Sequence, residues 1–283
     1  MKSSGPEELE LDLKPFFLAG AAGRLFCVFV GPVPHAPRRG GVLFFPPFAE
    51  EANKSRRQVM LQARELAAAG YGVLFVDLYG TGDSEGDFSQ GRWDVWRADL
   101  VAGLRWLERE AYSPVVLWGL RWGSLLAADV ARDLGERPRL LLWQPVLDGR
   151  QHNDQFIRMR VASSMLSGGP RVTVQDLRRA LGCGESVEVA GYTLHPDLVS
   201  GTDDRNLATI LPPIGCVVDW IEIVGDQDAG VSVGSQRAIA RWRDTGVEVR
   251  PATIVGQQFW ATTEITVVPR LLEHTTQALT TRT

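Results

Sequence analysis

The chain has 283 residues, long enough for one large α/β domain carrying an insertion. With 45% hydrophobic and 23% charged residues it reads as globular rather than disordered, and a net charge of −4 gives no whole-chain reason to expect nucleic acid. Cys27, Cys183 and Cys216 are odd in number and far apart, which argues against a disulfide framework or a zinc site and for buried thiols in a reducing compartment.

The opening stretch M-K-S-S-G-P-E-E-L-E has no basic segment followed by an apolar one, so no signal peptide is expected. L-E-L-D-L at 9–13 alternates as a half-buried strand does, and R-L-F-C-V-F-V at 24–30 reads as its partner. G-V-L-F-F-P at 41–46 is continuously apolar and predicts a central strand. A helix follows from about Lys54 to Ala69, with Asn53 as its N-cap and Gly70 ending it. G-V-L-F-V-D at 72–77 is the next strand, a glycine-rich loop leads to a helix over about 92–109, and V-V-L-W-G at 115–119 gives another strand and its helix. R-L-L-L-W-Q-P at 139–145 is one more strand. The rhythm breaks over 146–212 and resumes with a strand at 220–225, a helix at 232–244, a strand within 247–255 and a helix at 261–280. No apolar run reaches the roughly 18 to 20 residues that span a bilayer, so the reading is a soluble cytoplasmic protein.

Alternating β and α units predict a mostly parallel, eight-stranded sheet with helices on both faces. The expected division is a core over 1–145 and 213–283, with a lid inserted at 146–212. Ligands on such sheets lie beyond the C-terminal strand ends. Between Arg150 and Ala180 the insertion holds six arginines, Arg158 among them, against two aspartates. They form either a solvated helix face or a basic cover over an anionic ligand.

The sequence G-L-R-W-G at 119–123 has the outline of a strand, a sharp turn and a helix. In the α/β-hydrolase fold that turn is G-x-S-x-G, its serine is the nucleophile, and an acid and a histidine follow later strands. Here Arg121 takes the serine position. The acid slot keeps its type, best at Asp228, and Gln258 stands where the histidine is expected. A literal G-x-S-x-G at 82–86 follows the wrong strand, so Ser84 is expected to structure its loop, and Ser124 to be a packing residue. His152 and His195 fall in the insertion. An arginine cannot attack a carbonyl, but it binds carboxylate or phosphate through paired hydrogen bonds. A helix N-terminus would add to its attraction for anions. Its partner is either a ligand or an internal acid, Glu50 or Glu51. Those glutamates open the segment P-P-F-A-E-E-A-N-K-S-R-R at 46–57, where a raised pKa would make either a base or nucleophile.

P-P-F-A-E-E-x-N-K-S-R-R, D-L-Y-G-x-G-D-S-x-G-D-F, R-W-x-x-W-x-x-D, L-W-G-L-R-x-G, L-W-Q-P-V and F-W-x-x-x-E-I together resemble the exosortase A system-associated hydrolases of the second type, over nearly the whole chain. The resemblance implies an α/β-hydrolase fold in a bacterium that sorts proteins by a C-terminal Pro-Glu-Pro signal, often beside exopolysaccharide genes, and so a functional link to that machinery.

Two functions follow as expectations. One is an atypical hydrolase or acyl-transfer enzyme that works without a Ser-His-Asp triad through Glu50 or Glu51, Arg121 and Asp228. The other is a non-catalytic binding protein for an anionic or acyl ligand. In both, Phe48, Asn53, Trp122, Gln144, Arg158 and Gln258 are candidates to touch the ligand, and neither a metal nor a cofactor is expected. A purely structural partner of the export machinery is a third possibility.

Overall fold

The computed structural model describes residues 12–135, 137–166 and 172–281. Strands β1 (Leu13–Ala19) and β2 (Arg24–Val30) form an antiparallel pair. They are followed by β3 (Gly40–Phe45), α1 (Glu50–Ala68), β4 (Tyr71–Val76), α2 (Trp93–Arg109), β5 (Val115–Leu120), α3 (Gly123–Arg132) and β6 (Arg139–Trp143). Next come α4 (Gly149–Leu166), α5 (Val174–Gly182), a small hairpin of β7 (Val187–Val189) and β8 (Tyr192–Leu194), and α6 (Pro196–Asp203). The chain ends through β9 (Val217–Val224), α7 (Val233–Asp244), β10 (Glu248–Val255) and α8 (Pro269–Thr280).

The main sheet has eight strands in the order β1-β2-β4-β3-β5-β6-β9-β10. β2 runs antiparallel to both its neighbours, and from β4 to β10 every pairing is parallel. The expected sheet is therefore the one observed, with β5 at its centre. Its inner strands β3, β4 and β5 read as unbroken apolar runs because both faces are covered. Leu43 and Phe45 of β3 pack in a core shared with α2, α3 and α7, while Val42 and Phe44 point into the opposite core with α1 and α8. Buried Gln58 of α1 is satisfied twice at the start of α8, donating to the Val268 carbonyl at 3.2 Å and accepting from its N–H at 2.8 Å.

Residues between β6 and β9 do not form a separate core. Phe156, Ile157, Leu181, Leu194 and Leu198 are continuous with the apolar cluster of α2 and α3. Most of the charge in this stretch is spent internally: Arg178 holds Asp154 and Asp203, both at 2.6 Å, and Arg179 pairs with Asp176 at 3.1 Å. That fits the solvated-face reading, while Arg171 lies outside the described residues.

Several expected boundaries shift for physical reasons. Helix α1 starts at Glu50, four residues before the expected start, so Asn53 lies inside it and does not cap it. Ala49 is the N-cap, at φ 50° and ψ −123°, and offers no side-chain bond. The first turn closes instead through Glu51 N–H to Phe48 O and Ala52 N–H to Ala49 O, both 3.1 Å, with two acids at the positive end of the helix. β1 runs from Leu13 to Ala19, beyond the alternating stretch at 9–13, of which residues 9–11 lie outside the described residues. Helix α8 waits until Pro269, whose fixed φ suits the first helical position. Cys27 and Cys216 are buried as expected, but Cys183 is exposed just past α5. Among the described residues no helix is long and apolar enough to cross a membrane.

Candidate active site

The turn after β5 puts Arg121 at φ 54°, a left-handed conformation that costs a residue with a Cβ about 1–2 kcal/mol. The glycines on either side let the chain make it. A Cβ on Gly119 would stand 2.7 Å from Ser124 Cα, and one on Gly123 would stand 2.1 Å from the Phe45 carbonyl oxygen. Arg121 N–H donates to Trp143 O at 2.9 Å and its carbonyl accepts from Ser124 N–H at 3.0 Å, so strand, turn and α3 are locked together.

From that turn the guanidinium meets Glu51. Nε and Nη2 both donate to Glu51 Oε1, at 3.2 and 3.1 Å. Glu51 Oε2 is buried and finds no partner among the described residues. The pair is mostly enclosed, with side-chain exposures of 18% for arginine and 23% for glutamate, too low for solvent to screen it away. The indole of Trp260 lies against the guanidinium, 5.2 Å from ring centroid to Cζ. Burial pushes the Glu51 carboxyl above the usual carboxylate range, against the opposing pull of Arg121 and Lys54.

These groups border a cavity of 230 Å³, whose wall also includes Phe48, Lys54, His152, Phe156 and Met159. It draws on α1, on α4 and on the segments that follow β3, β5 and β10. His152 is buried, its Nε2 has no partner among the described residues, and burial together with Arg121 pulls its pKa down to about 3. The imidazole is therefore neutral at working pH and able to donate or accept one hydrogen bond.

The sequence candidates divide. Glu51, Arg121, Glu50 and Phe48 meet at this cavity. Asn53 is exposed and absent from its wall, with Nδ2 3.4 Å from both Glu50 Oε2 and the Tyr192 hydroxyl. Trp122 is buried on the far side of Phe48, 5.5 Å from it between ring centroids. Gln144 turns away from the cavity: its Oε1 accepts from Ile223 N–H at 2.6 Å and ties β6 to β9. Asp228 is exposed in the loop after β9, where its N–H donates to Asp226 Oδ1 at 3.1 Å, and it does not border the cavity. Gln258 and Arg158 are exposed and also absent from its wall. His152 and Trp260 went unchosen in the sequence. The only local signal was that His152 sits in the insertion and Trp260 two residues past the vacant histidine slot.

Of the other hydroxyl and imidazole candidates, Ser84 and His195 have structural partners and Ser124 has none among the described residues. Ser84 Oγ accepts from Phe26 N–H at 2.8 Å and donates to Asp77 O at 2.6 Å, pinning its loop as expected. Ser124 is fully buried in α3, without a side-chain hydrogen bond among the described residues. His195 caps α6, its Nδ1 accepting from Asp197 N–H at 3.1 Å. No group of three or more His, Cys, Asp or Glu among the described residues is placed to hold a metal.

A family profile described as serine aminopeptidase, S33, matches residues 36–202. No curated protein matches the chain in sequence. Solved structures share the fold at low identity. Est1E from Butyrivibrio proteoclasticus with bound ferulic acid is similar at TM-score 0.63 and 16% identity, over 94% of this chain and 96% of that one. An α/β serine hydrolase homologue from Coxiella burnetii gives 0.55 and 15%, over 94% and 95%. Mouse α/β hydrolase domain-containing protein 10 gives 0.58 and 16%, over 94% and 98%.

Proposed function

Since this chain belongs to the serine aminopeptidase S33 family, we propose that it hydrolyses an ester- or thioester-type acyl substrate without a Ser-His-Asp triad, using Glu51 as general base. The observation that carries this reading is a mostly enclosed carboxylate, fixed through one oxygen by Arg121 and with its second oxygen unpartnered, at the edge of a cavity beyond the strand ends. A carboxyl raised toward neutrality is a better base than an ordinary one. Glu51 Oε2 takes a proton from water while the water oxygen bonds to the substrate carbonyl carbon. The carbonyl oxygen becomes an oxyanion, received by the free Nη1 edge of Arg121, which makes no hydrogen bond among the described residues. The bond to the leaving oxygen or sulfur then breaks, and the leaving group takes the proton from Glu51. Phe48, Phe156, Met159 and Trp260 offer apolar wall to the acyl chain.

The segment 146–212 is the cap of this site in our reading, supported by the His152 and Phe156 contributions from α4. The six motifs quoted above support a functional link to exosortase and exopolysaccharide machinery in the cytoplasm. Asp228, Arg158 and Gln258 have no part in this mechanism. A binding-only function is the second reading, and what favours it is Arg121 with Lys54 at one cavity, where a carboxylate ligand would compete with Glu51 for the guanidinium.

The test is a screen of nitrophenyl esters and acyl thioesters of increasing chain length. Glu51→Gln should lower kcat by at least about 100-fold, the low end for a general base. Glu50→Gln should stay close to the parent. Absence of turnover on every ester and thioester, or full activity in Glu51→Gln, would overturn the mechanism. Carboxylate binding without turnover would establish the second reading.

A further inference from the structure

A second cavity, of 380 Å³, lies on the other side of the Phe48 ring. It opens between the ends of β3 and β4, the first two turns of α1, the glycine-rich loop at 80–88 and the tip of the β7–β8 hairpin. Phe48 belongs to the wall of both cavities. Its ring meets Phe156 and His152 at 5.2 and 5.8 Å on one side, and Trp122, Phe88 and Trp96 at 5.5, 5.7 and 6.2 Å on the other. It is 4% exposed, so it is a fixed partition between two chambers.

The chambers differ in chemistry. The Arg121 chamber sets two cations, Arg121 and Lys54, against two carboxylates, Glu50 and Glu51, beside an apolar wall. The second chamber is walled by aromatic rings, with Asp77 and Asp87 set against the single cation Arg56. Asp77 accepts Asp83 N–H at 3.0 Å through Oδ2, and its Oδ1 has no hydrogen bond among the described residues. The buried indole N–H of Trp122 at the same wall also lacks a partner there. A chamber with excess negative charge disfavours an anion and favours a group that donates hydrogen bonds, while aromatic edges and faces favour a ring. Its volume falls within the range of small-molecule sites.

We propose that this second chamber binds a ring bearing hydroxyl or amine donors, held by Asp77 and stacked among Phe88, Trp96 and Tyr192, and that Phe48 divides it from the acyl chamber. The ligand is then bipartite: an acyl group beside Arg121, a donor-bearing ring beyond Phe48. The identity of the first half rests on the ester reading above, but the second chamber does not.

Binding of fragments tests this independently of turnover. Butyrate serves for the Arg121 chamber, catechol for the second, and the 3,4-dihydroxyanilide of butyric acid, which resists hydrolysis, joins the two. Calorimetry should show butyrate and catechol bound together, and the anilide bound at least tenfold more tightly than either. Benzoate should compete with butyrate rather than with catechol. Asp77→Asn should weaken catechol about tenfold and leave butyrate within twofold. Phe48→Ala should raise the preference for octanoate over butyrate about tenfold. Mutual exclusion of butyrate and catechol, an anilide no tighter than its parts, or catechol binding unchanged in Asp77→Asn would overturn the proposal. If the fragments behave as expected but no ester is turned over, only the Glu51 mechanism fails.

Discussion

A guanidinium in place of a serine changes what a single substitution can restore. Arg121→Ser would recreate G-x-S-x-G, yet it would remove the cation that holds Glu51. A serine there gains no imidazole from the exposed Gln258. We expect Arg121→Ser to show no serine-directed labelling by a fluorophosphonate, and to lose about 1–3 kcal/mol of stability at neutral pH from the stranded carboxylate. The sign with pH follows from the direction of the Glu51 shift. A carboxyl raised above its unfolded value binds its proton more readily when folded, so the loss should shrink as pH falls through the raised pKa. Denaturant midpoints of parent and variant across pH 5–8 measure this, and a gap that widens on acidification would refute it.

His152 acts with the opposite sign. Its folded pKa, near 3, lies below the ordinary histidine value of 6.5. The unfolded chain therefore takes up the extra proton first, and stability that is present above pH 6.5 drains away as pH falls toward 3, by up to about 1.4 kcal/mol per pH unit. Asp99, raised by burial to about 6, and Glu51 bend the curve the other way. The difference between parent and His152→Gln isolates the histidine: the variant should lose less stability than the parent between pH 6 and 4. The charged groups around this ring at the cavity are Glu50, Glu51 and Lys54 of α1 and Arg121 of the turn.

At the scale of elements, the strand–turn–helix at β5 and α3 depends on how close a helix comes to its neighbouring strand. Gly123→Ala would drive a methyl group to within 2.1 Å of the Phe45 carbonyl, a backbone atom that cannot swing aside. We expect a loss of about 3 kcal/mol, read by thermal denaturation, whereas Gly182→Ala, with open space around its Cβ, should be nearly silent. The same contrast explains what could be read ahead of the structure. Buried parallel strands such as β3, β4 and β5 announce themselves as apolar runs, because both of their faces are covered. The start of α1 was hidden, since Ala49 carries no capping group and Asn53 looked like a cap. Half of the candidate site was legible: an arginine on an elbow and a pair of glutamates at a strand end are local oddities of sequence. His152 and Trp260 were not, because they meet Arg121 only through the packing of α4 and of the loop after β10. Asp228 had the right residue type in the right chain order, but its loop closes on Asp226 and stays in solvent.

At the scale of the whole molecule, segment 146–212 shares its apolar core with α2 and α3 and is tied to them by charge as well. Asp129 of α3 is 1% exposed. It accepts from Trp93 Nε1 at 2.9 Å and faces Arg132 at 2.9 Å, Arg97 at 3.5 Å and Arg205 at 3.6 Å, the last from the end of the insertion. One buried anion thus serves cations from three parts of the chain. Asp129→Asn should cost about 3 kcal/mol by leaving them unbalanced. It should also speed limited proteolysis within 146–212 more than elsewhere. In the parent, the shared core predicts a single calorimetric unfolding transition, and a separate melt of the insertion would contradict it.

The cysteines lend this arrangement a practical use. Burial pushes the Cys27 and Cys216 thiols up to about 12, so neither forms thiolate at neutral pH, while Cys183 stands exposed at the end of α5. An alkylating dye added to the native protein should therefore attach at one place, on the insertion, with no engineered residue. The nine tryptophans of the chain together are energy donors for such a dye. The summed transfer changes if segment 146–212 moves against the sheet, and it can be read with each chamber empty or filled.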